Sequence, residues 1–352
     1  MKPVAVDLFC GIGGLTHGIQ KSGIEVVAGV DIDETCKFAY EANNSAVFIE
    51  KDIKDLQAAE IKKLYPKDSL KILMGCAPCQ PFSKYTRRYR KEGHADDKWQ
   101  LLYSFARLAE EIMPQIISIE NVPGLAHEAI FYDFVDILKK LNYYVSWSIP
   151  YSPEYGVPQA RNRLVLLASQ LGEIDLIPPL YNADNYPTVR YAIGELLPLN
   201  DGEQDENDPL HKACRLSETN RQRIRQSVPG GTWRDWDEDL QLACHKKNSG
   251  KTYPSVYGRM VWDEPSPTIT TQFYGYGTGR FGHPEQNRAL SLREGAILQS
   301  FPPDYIFIDE EHPFSRRELG IHIGNAVPVE LGRAIGISIQ QHLKEVLQNG
   351  EN

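Results

Sequence analysis

Short apolar runs rich in β-branched residues recur through the first half of the chain: Val4–Phe9, Val26–Ile32, Ala46–Ile49, Lys71–Gly75, Ile116–Val122, Tyr144–Ile149 and Leu164–Ala168. Between most of them apolar residues fall three or four apart, as in Leu101, Leu102, Phe105, Leu108, Ala109 and Ile112, which is the spacing of one helix face. Strands and helices in this alternation form βαβ units, so the pattern predicts an α/β fold with a largely parallel sheet covered on both faces. The last two runs are separated only by a Pro-containing bend from Tyr151 to Gln159. A parallel crossover needs roughly a dozen residues, so these two are expected to pair antiparallel.

From about Glu173 the periodicity fades and Pro, Asn, Gly and Asp become frequent, which predicts a loop-rich second domain from Leu180 to about Phe281. Ile335, Ile339, Leu343 and Leu347, four apart, predict a closing amphipathic helix. The expected layout is a first domain over 1–178, a smaller irregular one over 179–315, and a segment over 316–352 that returns to the first. Composition narrows the class. The 352 residues, 41% hydrophobic and 24% charged, have ample length for a buried core. No apolar run is long enough to cross a membrane, and the N-terminus lacks signal-peptide character. Six scattered cysteines fit reduced thiols in a cytoplasmic protein. The net charge of −9 on its own speaks against a nucleic-acid partner, although it does not say where the charges sit.

The first strand runs into Asp7-Leu8-Phe9-Cys10-Gly11-Ile12-Gly13-Gly14-Leu15. Glycines at a strand-to-helix turn let a ligand approach the backbone. The dinucleotide fingerprint fails, because Thr16 stands where its third glycine belongs. Asp31, about 20 residues on, can accept both hydroxyls of a ribose, and Ile32 beside it suits an adenine face. Three further polar motifs fall at strand ends: Gly75-Cys76-Ala77-Pro78-Cys79-Gln80-Pro81-Phe82-Ser83, Glu120-Asn121-Val122, and Gln159-Ala160-Arg161-Asn162-Arg163. Cys76 and Cys79 form a C-x-x-C that by spacing alone could be a redox pair or half a zinc site; no second such pair completes the latter. With a Glu and an Arg from neighbouring strands, Cys79 also fits a thiolate nucleophile working on a planar polar substrate.

Taken in order, DLFCGIGGL (7–15), VDID (30–33), KDI (51–53), GCAPCQPFS (75–83), ENV (120–122), QARNR (159–163), RALSLREGAILQSFP (288–302) and GNAVP (324–328) closely resemble the DNA cytosine-5 methyltransferases, specifically the compact prokaryotic restriction-modification type. The resemblance implies a Rossmann-like S-adenosylmethionine-dependent methyltransferase sheet with a smaller target-recognition domain. It implies methyl transfer to C5 of cytosine in a specific duplex sequence, through base flipping and a covalent bond from Cys79 to C6. Glu120 would hold the exocyclic amine and N3, Arg163 would hold O2, and Arg161 would support the loop or pocket. Phe9, Gly11, Ile12 and Gly14 would line the cofactor, with Asp31 on the ribose and Ile32 on the adenine face. Asp52 and Ile53 would meet the adenine edge, Pro78 and Leu101 the far wall, and Asn325 and Val327 would close the pocket. S-adenosylhomocysteine would be the product, with no metal required.

The resemblance also places DNA. Lys84–Lys91 holds five basic residues and no acid, and Ser83, Lys84, Arg87, Arg88 and Arg90 would contact the duplex. Residues 211–260 hold ten basic side chains against five acidic, and Arg221, Arg223, Arg225 and Arg234 there, with Thr268 beyond, would serve recognition. Residues 181–210 carry seven acids and one base, so the acidic total averages over segregated surfaces. The chain is expected to act as a monomer on double-stranded DNA at the nucleoid, with any cognate endonuclease working separately. Three rival readings are weaker. The tRNA-acting branch has a Cys-Phe-Thr element that is absent here, a non-enzymatic relative would be expected to lose Cys79, Glu120 or a pocket residue, and a thiol or nicotinamide oxidoreductase is disfavoured by the failed fingerprint and the lone C-x-x-C.

Overall fold

A computed structural model describes residues 2–78, 96–248, 250–252, 254–309, 311–312 and 315–350. The first half alternates β1 (Pro3–Leu8), α1 (Gly14–Lys21), β2 (Glu25–Asp31), α2 (Lys37–Asn43), β3 (Val47–Glu50), α3 (Ala58–Leu64), β4 (Leu70–Gly75), α4 (Asp96–Ile112), β5 (Ile116–Asn121), α5 (Ala129–Lys140) and β6 (Tyr144–Ser148). A two-residue β7 (Gln159–Ala160) and β8 (Leu164–Ser169) complete it. Seven strands form one sheet in the order β3-β2-β1-β4-β5-β8-β6. The first five run parallel, while β8 lies antiparallel to both β5 and β6. The antiparallel pair expected from the short bend is therefore present, and the protein is α/β with a Rossmann-like sheet.

The alternation along β1 explains both layers. Val4, Val6 and Leu8 point into a core built with α3, α4 and α5. Ala5 faces the other side, where Leu15 and Ile19 of α1 meet Ile335 and Ile339 of the C-terminal helix. Strand order reverses between β1 and β4, and in open α/β sheets such a switch point opens a crevice at the strand ends.

Beyond β8 come the short helices α6 (Val189–Ile193), α7 (Glu218–Gln226) and α8 (Ala243–Lys246), a two-residue β9 (Ser266–Pro267), then α9 (Leu292–Leu298), α10 (Arg316–Asn325) and α11 (Val329–Gly350). β9 pairs with β7, stitching this region to the sheet side. One apolar cluster runs from Ile12 and Tyr40 through Val189 and Phe273 to Ile323, so the loop-rich stretch shares a core with the first half. Trp233, Trp236 and Leu240 form a small cluster of their own. On α11, Ile335, Ile339 and Leu343 are buried as expected, but Leu347 is exposed, because the helix runs past the end of the core it covers. α11 lies against α1 at very close range: a methyl on Gly18 would stand 2.2 Å from the Val329 carbonyl oxygen.

Candidate active site

The glycine loop closes over Asp31. Gly11 N–H donates to Asp31 Oδ2 at 2.8 Å and Asp33 N–H to Oδ1 at 3.0 Å, so the end of β2 and the first loop are tied together. Phe9, just past β1, lies in the left-handed region at φ +60° and Gly11 follows at +49°. A methyl group on Gly11 would meet nothing within 4 Å, so the backbone there borders open space. Gly14 differs: its methyl would lie 2.3 Å from the Val327 carbonyl oxygen, so that glycine is needed for the chain segment entering α11 to pack. Ile32 stands 66% exposed at the end of β2, a large apolar side chain facing out beside an acidic one. Ile12, Ile53 and Val327 are buried, Phe9, Asp52 and Leu101 are half-buried, and Pro78 and Asn325 are exposed. The Ile53 carbonyl, with those of Lys54 and Leu56, takes the Arg107 guanidinium, which fixes the third strand-end loop. Exposed Ile32, the Asp31 carboxylate and the open backbone at Gly11 together suit the ribose and adenine of a nucleoside.

Asp7 lies beneath this loop. It is fully buried, accepts from Thr16 Oγ1 at 2.7 Å through Oδ2, and leaves Oδ1 without a partner. Burial, with Asp31 adding to it and Thr16 opposing, pushes its carboxyl up to about 7.

At the ends of β4, β5 and β8, Glu120 is buried, with Arg163 Nε 2.8 Å from its Oε1. That ion pair gives Oε1 a charge partner, and no other donor among the described residues reaches it. On the other side Cys76 Sγ donates to Glu120 Oε2 at 2.8 Å. Burial pushes the Glu120 carboxyl up, while the Arg163 charge and the Cys76 thiol pull it back. Burial also lowers Arg163, with Glu120 opposing. Asn121 Nδ2 donates to the Ala77 carbonyl at 3.0 Å, holding the start of the cysteine loop against β5. Cys79 and the DNA-contacting set Ser83, Lys84, Arg87, Arg88 and Arg90 lie outside the described residues.

Arg161 is not beside Glu120 in the contacts it makes. It is buried, and its guanidinium reaches the carbonyls of Ile269 at 3.2 Å and Gly324 at 3.4 Å. Gln159, two residues earlier, donates to Gln299 Oε1 at 2.8 Å and accepts from Ile269 N–H at 2.9 Å. Gln299 in turn donates to the Ile323 carbonyl at 2.8 Å. These three side chains bind β7, the end of α9, the Ile269 strand end and α10 into one joint. Sequence reasoning passed over Gln159 and Gln299 although both lie inside motifs it quoted. It also passed over Arg288 and Glu294, a fully buried pair at 2.7 Å in which Ser291-x-x-Glu294 is a capping box.

The arginines singled out for recognition divide. Arg221 pairs with Asp201 and Glu218. Arg223 donates to the Leu240 carbonyl and lies over the Trp236 and Tyr257 rings. Arg234 lies over the Trp233 ring, and Thr268 donates to the Ala160 carbonyl at 2.8 Å. Arg225, on the same helix as the first two, is exposed.

Comparison with known proteins gives the family. The family model for C-5 cytosine-specific DNA methylases matches residues 4–341. The chain is 52% identical to the type II methylase M.HgiDII of Herpetosiphon aurantiacus, over 98% of this chain and 97% of that protein. It is 32% identical to the type II methyltransferase M.Eco47II of Escherichia coli, over 97% and 79%. Among solved structures, the Entamoeba histolytica methyltransferase EhMeth superposes with a TM-score of 0.64 at 17% identity, over 97% and 99% of the two chains. The Schizosaccharomyces pombe Dnmt2 methyltransferase does so at 0.58 and 16%, over 98% and 99%. With a family match that spans nearly the whole chain and a full-length relative identical at half its positions, this chain belongs to the C-5 cytosine-specific DNA methylase family and is a DNA cytosine-5 methyltransferase of the type II restriction-modification kind.

Proposed function

We propose that the enzyme moves a methyl group from S-adenosylmethionine to C5 of one cytosine in a specific duplex sequence, with that base swung out of the helix and Cys79 bonded to C6 during turnover. The observation that carries this reading is the buried Glu120 with the Arg163 guanidinium on one oxygen and the Cys76 thiol on the other. A cytosine edge fits that arrangement: its amine can donate to the carboxylate, and its O2 can take the guanidinium. The target atoms are inaccessible inside a duplex, so the base must leave the stack at a cost of a few kcal/mol.

Bound S-adenosylmethionine supplies an electrophilic methyl group. The residues of this chain do the rest. Asp31, Ile32 and the open backbone at Gly11 hold the nucleoside end. The Cys79 thiolate adds to C6, and the displaced electron pair is stabilised toward N3 and O2 by the Glu120 proton and Arg163. Burial favours the protonated form of Glu120, against the Arg163 charge and the Cys76 thiol. C5 is then nucleophilic and takes the methyl group, with S-adenosylhomocysteine as the leaving group; its proton passes to solvent water, and the electrons of that C–H bond re-form the C5–C6 double bond as the C6–S bond breaks to return the thiolate. We assign this work to residues 1–178 and 316–352, and sequence reading to 179–315.

The test is transfer of labelled methyl to duplex DNA at low salt, followed by bisulfite sequencing to find the modified base. Cys79→Ser should abolish transfer while retaining cofactor binding. Tight cofactor binding with no transfer to any DNA would overturn the proposal.

A further inference from the structure

The Glu120 carboxylate is addressed by two different groups, and only one of them is a cation. Cys76 begins the loop after β4, and its place there is tightly fixed. Its N–H donates to the Leu8 carbonyl at 3.3 Å, and a methyl on the preceding Gly75 would lie 2.4 Å from that same oxygen. Asn121 holds the next residue, Ala77, from the opposite strand. The thiol is thereby aimed at Oε2 from 2.8 Å, while Arg163 comes to Oε1 across β5 and β8. Among the described residues, Arg163 and Cys76 are the titratable groups that act on Glu120.

A thiol is a weak donor and a poor acceptor. It can therefore steady the ionised carboxylate in the base-free enzyme and give it up at little cost when a base edge arrives. A hydroxyl would grip the carboxylate harder, and a methyl group would leave Oε2 buried with no donor. We infer that Cys76 is a positioning residue for the reaction, holding Glu120 Oε2 by its S–H and setting how readily Glu120 keeps its proton. The inference rests on the proposed role of Glu120.

Two measurements on the full-length protein test it, using Cys76→Ala and Cys76→Ser. The first follows Glu120 protonation without DNA, as the infrared carboxyl C=O band that disappears in Glu120→Gln. Removing a donor to the charged form should move that titration up in Cys76→Ala by about half a pH unit or more, and Cys76→Ser should bring it back to the wild-type position or below. The second is the pH profile of kcat/KM for methyl transfer, whose alkaline limb should shift in the same order. Coincident titrations in all three folded proteins would overturn the inference. A shifted infrared titration in a wild type that transfers no methyl group would keep the thiol–carboxylate link and remove the reaction from under it.

Discussion

Glu120 of β5 and Arg163, just ahead of β8, meet across neighbouring antiparallel strands with Nε 2.8 Å from Oε1, both nearly sealed from solvent. Strand pairing brings them together: Glu120 lies opposite Val165, so a residue two positions earlier can reach back over the strand end. A pair held this way costs a great deal to halve, because the survivor is a buried charge without a partner.

Arg163→Ala should therefore lose methyl transfer and also destabilise the fold by about 3–5 kcal/mol at pH 8. The deficit should shrink toward pH 5, since the Glu120 carboxyl, already raised by burial, takes up a proton once the guanidinium is gone. Urea unfolding at both pH values checks this, and an equal deficit at each would contradict it.

Asp7 makes its own pH signature. Its folded value of about 7 lies above its unfolded value near 4, so the native state holds the proton more tightly. The stability it contributes is complete below about pH 4 and is lost as pH rises through 7, a loss on the order of a few kcal/mol. Asp7→Asn, which keeps an acceptor for Thr16, should flatten the decline in urea midpoint between pH 5 and pH 8.

Two glycines of the first loop should separate binding from folding. Gly11→Ala puts a methyl group into open space at φ +49°, so it should cost about 1 kcal/mol of backbone strain and lower cofactor affinity more than stability. Gly14→Ala drives a methyl group to 2.3 Å from the Val327 carbonyl oxygen, so it should lower the melting temperature sharply. Calorimetric titration with S-adenosylhomocysteine, paired with thermal melts, distinguishes them.

In α7, Arg225→Ala should weaken DNA binding and reduce the magnitude of the log–log salt slope by about 0.9, the value of one phosphate contact, with little effect on stability. Arg223→Ala should instead destabilise the Trp233–Trp236 cluster, because its guanidinium already serves Leu240 and two rings. Binding isotherms at several salt concentrations, with melts of each variant, give both numbers.

Much was legible in the chain because it depends on local spacing. The seven strands, the antiparallel final pair and the closing helix follow from runs of apolar residues and from loop length, which short-range sterics and burial turn directly into elements. The motif residues at strand ends were likewise legible, since a parallel sheet delivers all such ends to one edge. The charge of −9, which first counted against DNA, is unevenly spread: 181–210 is acidic, and basic stretches lie on either side of it in sequence.

Tertiary structure decided what the side chains are used for. The sequence reading gave Arg161 a supporting role for the loop or pocket and grouped Arg221, Arg223 and Arg225 as DNA contacts; in the fold Arg161 reaches the Ile269 and Gly324 carbonyls, Arg221 and Arg223 make ion-pair or ring contacts, and Arg225 is exposed with no ion pair or ring contact among the described residues. Cys76, read in the sequence only as one half of a C-x-x-C, donates to Glu120. A guanidinium, an amide or a thiol takes whichever partner the folded chain brings within about 3 Å, and those partners lie tens to hundreds of residues away. The sequence by itself therefore determined the elements, the family and the list of reactive groups. Only the packed structure decided which of those groups hold one another and which stay exposed.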